Sequence, residues 1–328
     1  MAELRYNPLL DSWVMVSAKR QFRPYLPKDD CPFCPGSGKV PDQYDVHVFH
    51  NDYPVLRAEP PEPEEVGGGL YKTREALGRC EVILYAPDHH ATIPDLTRTQ
   101  MKRVIDLWTK TFDKLDKDLN HKYVMIFENR GEEVGVTITH PHGQIYAYPF
   151  IPQKVRVELD NCKSYFLKTG RNMFDDMINE EKRFGQRVIL ENDYFIAFIP
   201  FFTDTPFGLF VVSKENKTAL TDFTEEEKTA LGDILQEVIG GMDHLFNRTF
   251  PYMMGIHGRP SNSENVESFY RFHIEFYSPL QSKEKLKLNA ASETAGWAVA
   301  IPTRAEDNAL LLRQAIQAFW NNGGIKNE

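Results

Sequence analysis

The sequence predicts an α+β chain of two fused, similar halves, each a mostly antiparallel sheet with helices packed on it. Three observations carry this. First, short segments recur in order: Asn51-Asp52-Tyr53 and Asn192-Asp193-Tyr194 each open an extended stretch, and Tyr123-Val-Met-Ile answers to Tyr252-Met-Met-Gly. Second, each half has one long helix announced by a capping signal, Thr97 with Gln100 and Thr224 with Glu227, followed by apolar residues at helical spacing. Third, each half closes on a segment whose polar and apolar residues alternate with the period of a strand: His140 to Gln144 and His273 to Tyr277. The repeat is far longer than a solenoid unit, so two copies of one domain are expected, 1–170 and 171–328, with the split between about 150 and 185.

Composition agrees with that size. The 328 residues suit two domains, and 41% apolar with 12% aromatic content supports a sizeable core. A net charge of −9 offers no general attraction to nucleic acid or an anionic membrane, so phosphate must be bound by a local site. No stretch approaches the roughly 20 apolar residues of a membrane span, and the first residues have no apolar run behind a basic start; a cytoplasmic protein is expected. Four cysteines are no disulfide framework in this length. Cys80 and Cys162 read as core thiols.

Along the chain, Trp13 to Val16 is a short strand. Arg20 and Arg23 follow in a basic cluster that reads either as a phosphate clamp or as an exposed turn. Cys31-Pro-Phe-Cys34 has the two-residue gap that wraps both thiolates around one metal. The other half of such a site must come from elsewhere, and His89 or His90, after the strand Glu81 to Tyr85, can supply it. Residues 60–69, rich in Pro, Glu and Gly, read as an exposed loop. The first long helix is expected to bury Met101, Val104, Ile105, Trp108, Phe112, Leu115 and Leu119; the second, Leu231, Ile234, Leu235, Val238, Met242 and Leu245. A last helix, about Glu306 to Trp320, is expected to lay Leu310, Leu311, Ala315, Ile316 and Phe319 on the body.

The chemistry concentrates in Thr137-Ile-Thr-His140-Pro-His142-Gly143-Gln144-Ile-Tyr146. Extended, it would project His140, His142 and Gln144 from one face, with Gly143 allowing a ligand close to the backbone on the other. Imidazole is nucleophilic at neutral pH, and the set suits attack on phosphorus. Two unrelated strand histidines are the plain alternative.

In these segments, and in Tyr6-Asn-Pro-Leu, Phe127-Glu-Asn129 and Met254-Gly-Ile-His257, the chain resembles the galactose-1-phosphate uridylyltransferases, duplicated members of the histidine triad superfamily. The resemblance runs over nearly the whole length. It implies two histidine-triad-like halves and a homodimer acting on a nucleotide sugar and a hexose 1-phosphate. His142 falls on the family's nucleophile. Gln144 stands where histidine-triad hydrolases carry a third histidine; an amide can hold a phosphoryl oxygen but cannot serve as acid or base, which favours transfer between sugar phosphates over hydrolysis.

The resemblance also implies a structural zinc on Cys31, Cys34, His89 and His140, although adjacency leaves His90 open. It assigns Arg20, Arg23, Asn51, Asp52, Asn129, Gly135, Thr137, Lys287 and Glu293 to substrate. A second, iron-type site corresponds to Glu158, His257, Arg271 and His273. Arginine does not ligate metals, so this site is expected to be weak or absent unless Glu275 or water fills the place. Alternatives are an ADP-sugar phosphorylase of the same architecture and a non-catalytic module binding zinc and nucleotide. The acidic charge opposes a nucleic-acid-binding zinc protein.

Overall fold

The computed structural model describes residues 2–18 and 31–327. The strands are β1 (Ala2–Asn7), β2 (Ser12–Ser17), β3 (His47–His50), β4 (Thr73–Glu75), β5 (Arg79–Leu84), β6 (Tyr123–Arg130), β7 (His142–Tyr148), β8 (Val188–Glu191), β9 (Phe195–Phe198), β10 (Leu209–Ser213), β11 (Tyr252–His257) and β12 (His273–Tyr277). The helices are α1 (Arg98–Asp116), α2 (Gln153–Thr169), α3 (Met173–Phe184), α4 (Glu225–Leu245), α5 (Ala291–Gly296) and α6 (Ala305–Asn321).

Nine strands form one sheet in the order β3-β5-β7-β6-β11-β12-β10-β9-β8, with every pairing antiparallel. The order is mirrored about the β6–β11 pair: β6, β7 and β5 on one side answer to β11, β12 and β10 on the other. A small sheet, β2-β1-β4, lies apart.

One face of the large sheet is covered by α1, α4 and α6. Helix α1 buries Met101, Val104, Ile105, Trp108, Phe112 and Leu115 there. At about 2 kcal/mol per fully buried large apolar side chain, that stripe outweighs any capping contribution. Leu119 falls beyond the helix end and is 76% exposed, so the expected stripe is one turn too long. Thr97 does cap α1, but Gln100 turns its amide to Tyr85 O rather than closing a box. Thr224 and Glu227 close theirs. Helix α6 lies close on α4: a Cβ at Gly240 or Gly241 would meet Phe319 at 2.6 Å or Ile316 at 2.2 Å. Leu310 and Leu311, expected on the body, are half-exposed; Ala309 and Leu312 take the buried positions.

The other face is covered by α2, α3 and the small sheet. This helical pair occupies the region in which the sequence puts the split between halves. Asn172 caps α3 by accepting from Phe174 N at 2.9 Å, and Gly170 and Gly185 end the two helices in the left-handed region. No helix among the described residues is long and apolar enough to cross a membrane.

Candidate active site and metal-ligand clusters

Pro141 has no N–H for the ladder, so the strand carrying the histidine motif begins at His142 and not at His140. His142 lies opposite Leu84 and Gln144 opposite Val82, which puts both side chains on one face beside the small apolar cluster of Phe33, Val82, Leu84 and Ile138. The His142 ring stands against Phe33 with centroids 5.4 Å apart. Its Nδ1 donates to the carbonyl of His140 at 2.8 Å. A carbonyl only accepts, so this bond selects the Nδ1–H tautomer and leaves the lone pair on Nε2. Two cavities meet at His142. The larger, about 680 Å³, includes Asn129; the smaller, about 70 Å³, is bounded by Asn51, Asp52 and Gln144.

Gly143 serves a purpose other than the one expected. A Cβ there would lie 2.1 Å from Tyr85 Oη, so a buried tyrosine hydroxyl, and not a ligand, takes the space on the far side of the strand. Beside it Glu128 is fully buried, and burial pushes its carboxyl up to about 7 despite a 2.8 Å hydrogen bond from Tyr252 and the nearby Arg130.

Cys31, Cys34, His89 and His140 present one ligand atom each, all within 4.8 Å of one another. His140 Nε2 donates to Ala86 O at 2.8 Å and lies 2.9 Å from Tyr44 Oη, while the Tyr44 hydroxyl donates to Phe33 O at 2.6 Å. These partners fix His140 with Nδ1 turned to Cys34 Sγ, 3.7 Å away. His89 Nδ1 lies 3.4 Å from the same sulfur, and its Nε2 meets Thr139 Oγ1 at 3.1 Å. Burial holds the His140 imidazole down at about 4, in the neutral form that ligates, and pushes the Cys31 thiol up to about 11, so a bound cation would displace its proton. His90 is exposed and outside the cluster. Soft sulfur and imidazole donors in this number fit a tetrahedral metal site.

A second cluster joins Glu158 of α2, His257 at the end of β11, and His273 and Glu275 of β12. Here the reading of Arg271 is corrected. Arg271 leaves this face: its guanidinium pairs with Asp175 at 2.6 Å and donates to the carbonyls of Ser213 and Lys214. Glu275 supplies the fourth group: it lies within β12, two residues from His273 and on the same face, whereas Arg271 precedes the strand. His257 Nδ1 bonds Glu158 Oε2 at 3.0 Å and His273 Nε2 approaches Glu275 Oε1 at 3.4 Å. Burial pushes the Glu275 carboxyl up, yet the charges of His257, His273 and Lys154 outweigh it and hold the carboxyl far below its usual range. Lys154 Nζ lies 2.5 Å from Glu275, and Glu158 Oε1 is buried without a hydrogen-bond partner. Two imidazoles and two carboxylates fit a divalent cation.

Of the remaining expected residues, Arg20 and Arg23 lie outside the described residues. Asn51 accepts from Tyr53 N at 2.9 Å, and Asp52 faces Lys39 at 3.7 Å. Gly135 and Thr137 alternate with the cavity-lining Val136 and Ile138 but line neither cavity themselves. Lys287 and Glu293 are bound to each other, Glu293 also capping α5 through Ala290 N, and they too line neither cavity around His142. Sequence reasoning missed Tyr44 and Phe33 as residues set against the histidines, and Tyr85 as the group behind Gly143. Nothing in their spacing marks them, since each acts through a contact between segments distant in the chain.

An antiparallel sheet of this order, carrying a strand-borne histidine beside a thiolate–imidazole cluster, defines the class. A solved structure described as a uridylyltransferase matches with a TM-score of 0.89 at 29% identity, covering 96% of this chain and 99% of that one. The profile for the N-terminal domain of galactose-1-phosphate uridyl transferase matches residues 1–152, and that for its C-terminal domain matches residues 158–291. A galactose-1-phosphate uridylyltransferase of Thermotoga maritima is 37% identical over 315 residues, covering 96% of this chain and 98% of the relative. The chain therefore belongs to the galactose-1-phosphate uridylyltransferase family. An ADP-glucose phosphorylase from Arabidopsis thaliana shares the fold at 22% identity, with a TM-score of 0.74, 96% of this chain and 98% of that one.

Proposed function

We infer that the protein exchanges UMP between UDP-glucose and galactose 1-phosphate, giving glucose 1-phosphate and UDP-galactose by a ping-pong route through His142. The observation that carries this is the 2.8 Å bond from His142 Nδ1 to the His140 carbonyl, which leaves the lone pair on Nε2. In the first half-reaction Nε2 attacks the α-phosphorus, an N–P bond forms, and the P–O bond to glucose 1-phosphate breaks, its electron pair leaving with the phosphate oxygen. In the second, a phosphate oxygen of galactose 1-phosphate attacks the same phosphorus and the electron pair of the N–P bond returns to the imidazole. Neither step needs a proton, and an amide at Gln144 suffices to hold a phosphoryl oxygen. The carbonyl of His140 keeps charge developing on the His142 ring stabilised as the bond forms.

Zinc suits Cys31, Cys34, His89 and His140; its contribution would be to fix the loop whose His140 carbonyl orients the nucleophile. Glu158, His257, His273 and Glu275 would hold a divalent ion of iron type away from the reacting phosphorus. Asn51 and Asp52 are assigned to the nucleoside, and Asn129, Gly135 and Thr137 to the phosphates, a reading supported for Asn51, Asp52 and Asn129 by the cavities they share with His142. Lys287 and Glu293 sit apart from His142, so their role toward the hexose calls for a homodimer in which one protomer serves its partner. The halves 1–170 and 171–328 are proposed as fused copies of one unit, a reading supported by the mirrored strand order.

Intact-protein mass after mixing with UDP-glucose alone tests the proposal. One uridylyl group gained by the wild type and not by His142→Gly, then discharged by galactose 1-phosphate, is the expected result. An adduct with ADP-glucose instead would change the base, and no adduct with either would refute the transferase reading.

A further inference from the structure

The loop 131–141 between β6 and β7 contains Gly135 and Thr137 and delivers His140 to the metal cluster, yet its backbone is held sparsely. Its first turn closes on itself, with Val134 N and Val136 N both donating to Gly131 O at 3.3 Å. Beyond Val136, among the described residues, no backbone hydrogen bond ties the loop to the body until Pro141 O accepts from Tyr85 N at 3.1 Å. Among the described residues, side chains hold it at both ends. At one end these are Thr139 and His140, in the cysteine–histidine cluster.

At the other end the loop meets the turn 246–251, which joins α4 to β11. Gly131, at φ +98°, lies so near this turn that a Cβ would come within 2.6 Å of Pro251. The Glu133 carboxylate accepts from the Arg248 guanidinium, whose other nitrogens donate to the carbonyls of Thr249 at 3.3 Å and Lys283 at 3.2 Å. The turn is itself braced by Asp243, which accepts from Phe250 N at 2.7 Å and from Arg130 at 2.8 Å. With side chains 35% and 22% exposed, the Arg248–Glu133 pair is partly withdrawn from water, where one guanidinium nitrogen holds a carboxylate better than at an open surface. Both residues line the 680 Å³ cavity that reaches His142.

We propose that Arg248 is a positioning residue: through Glu133 it clamps the 131–141 loop of the first half onto the second half, and so sets the wall that Val136, Ile138 and Thr139 present to a sugar phosphate bound in the 680 Å³ cavity. This rests on the uridylyl-transfer reading. A competing use of Arg248, direct contact with a substrate phosphate, makes the opposite prediction for its partner: removing Glu133 would release the guanidinium and tighten binding.

The test uses full-length Glu133→Ala, Arg248→Ala, Arg248→Glu and the swap Glu133→Arg with Arg248→Glu. The clamp predicts that each single variant raises KM for galactose 1-phosphate about tenfold, with kcat changed less than about threefold and Tm within about 2 °C of wild type. Hydrogen exchange across 132–141 should quicken in parallel, and the swap should return KM to within about threefold of wild type. A KM that falls or stays put in Glu133→Ala, or a swap no better than Arg248→Glu alone, overturns the clamp. Failure of the wild type to form a uridylyl adduct would instead refute the transfer reading, and the exchange data would then decide the clamp by themselves: quickened loop exchange supports it and unchanged exchange overturns it.

Discussion

Replacing Gly143 with alanine places a methyl group 2.1 Å from Tyr85 Oη, 3.0 Å from Tyr85 Cζ and 3.2 Å from Phe127 O. Ordinary non-bonded separations are about 3.5 Å. Tyr85 has nowhere to go: it is fully buried and packed edge-on against the equally buried Trp108, with ring centroids 5.7 Å apart. Overpacking of this kind is expected to cost about 2–3 kcal/mol. Tyr85→Phe removes the atom at 2.1 Å together with a hydroxyl buried beside Glu128 and Trp108, and the single change should cost about 1 kcal/mol. In the double variant the nearest atom is Cζ at 3.0 Å, a gap that a few tenths of an ångström of movement relieves. The penalty of Gly143→Ala should then drop to about 1 kcal/mol, a coupling of about 1–2 kcal/mol. Urea unfolding of the wild type, both single variants and the double variant measures this, and the rate of uridylyl transfer in the same set reports whether the displaced strand carries His142 out of place. Additive penalties, or a neutral Gly143→Ala, would refute the argument that Tyr85 fills the space behind the nucleophile.

Two further predictions concern buried charges. Glu128 has its carboxyl raised from 4.5 to about 7 by burial, so the folded state holds a proton that the unfolded state has lost between those values, and stability falls as pH rises through that window and levels off above it. Glu128→Gln should abolish this component, its stability relative to wild type growing by up to about 3 kcal/mol from pH 4.5 to pH 7; parallel urea midpoints across that range would contradict it. Arg271→Ala should cost about 1–2 kcal/mol by leaving the carbonyls of Ser213 and Lys214 without their donor, Asp175 remaining solvated, while bound metal per chain stays unchanged, whereas Glu275→Ala should lower metal content. Equal metal loss in both variants would contradict the separation of Arg271 from the second cluster.

Much of the fold was legible because local pattern and burial agree. The helix stripes of α1 and α4 and the alternation of Phe272, Ile274 and Phe276 against His273 and Glu275 follow from periods of 3.6 and 2, which survive in any packing. The errors fall where pattern has no neighbour to refer to. Leu119, Leu310 and Leu311 continue an apolar run, but whether a helix still faces the body at those positions depends on where its partner ends. The pair α2 and α3 was passed over because its apolar residues lie among many charged ones, and its burial comes from a sheet face assembled out of both halves.

By itself the sequence determined the chemistry on offer: a histidine motif, a Cys-x-x-Cys, an amide two residues beyond His142, and a recurring order of elements. Those are properties of residue type and spacing. The tertiary structure decided which atoms face which. It turned His89 rather than His90 to the thiols, selected the His142 tautomer through a backbone carbonyl, put Tyr85 behind Gly143, and gave the second cluster Glu275 in place of Arg271. Apart from the His142 tautomer, set by a carbonyl two residues away, these choices rest on contacts of a few ångströms between segments far apart in the chain, and only the folded sheet brings those segments together.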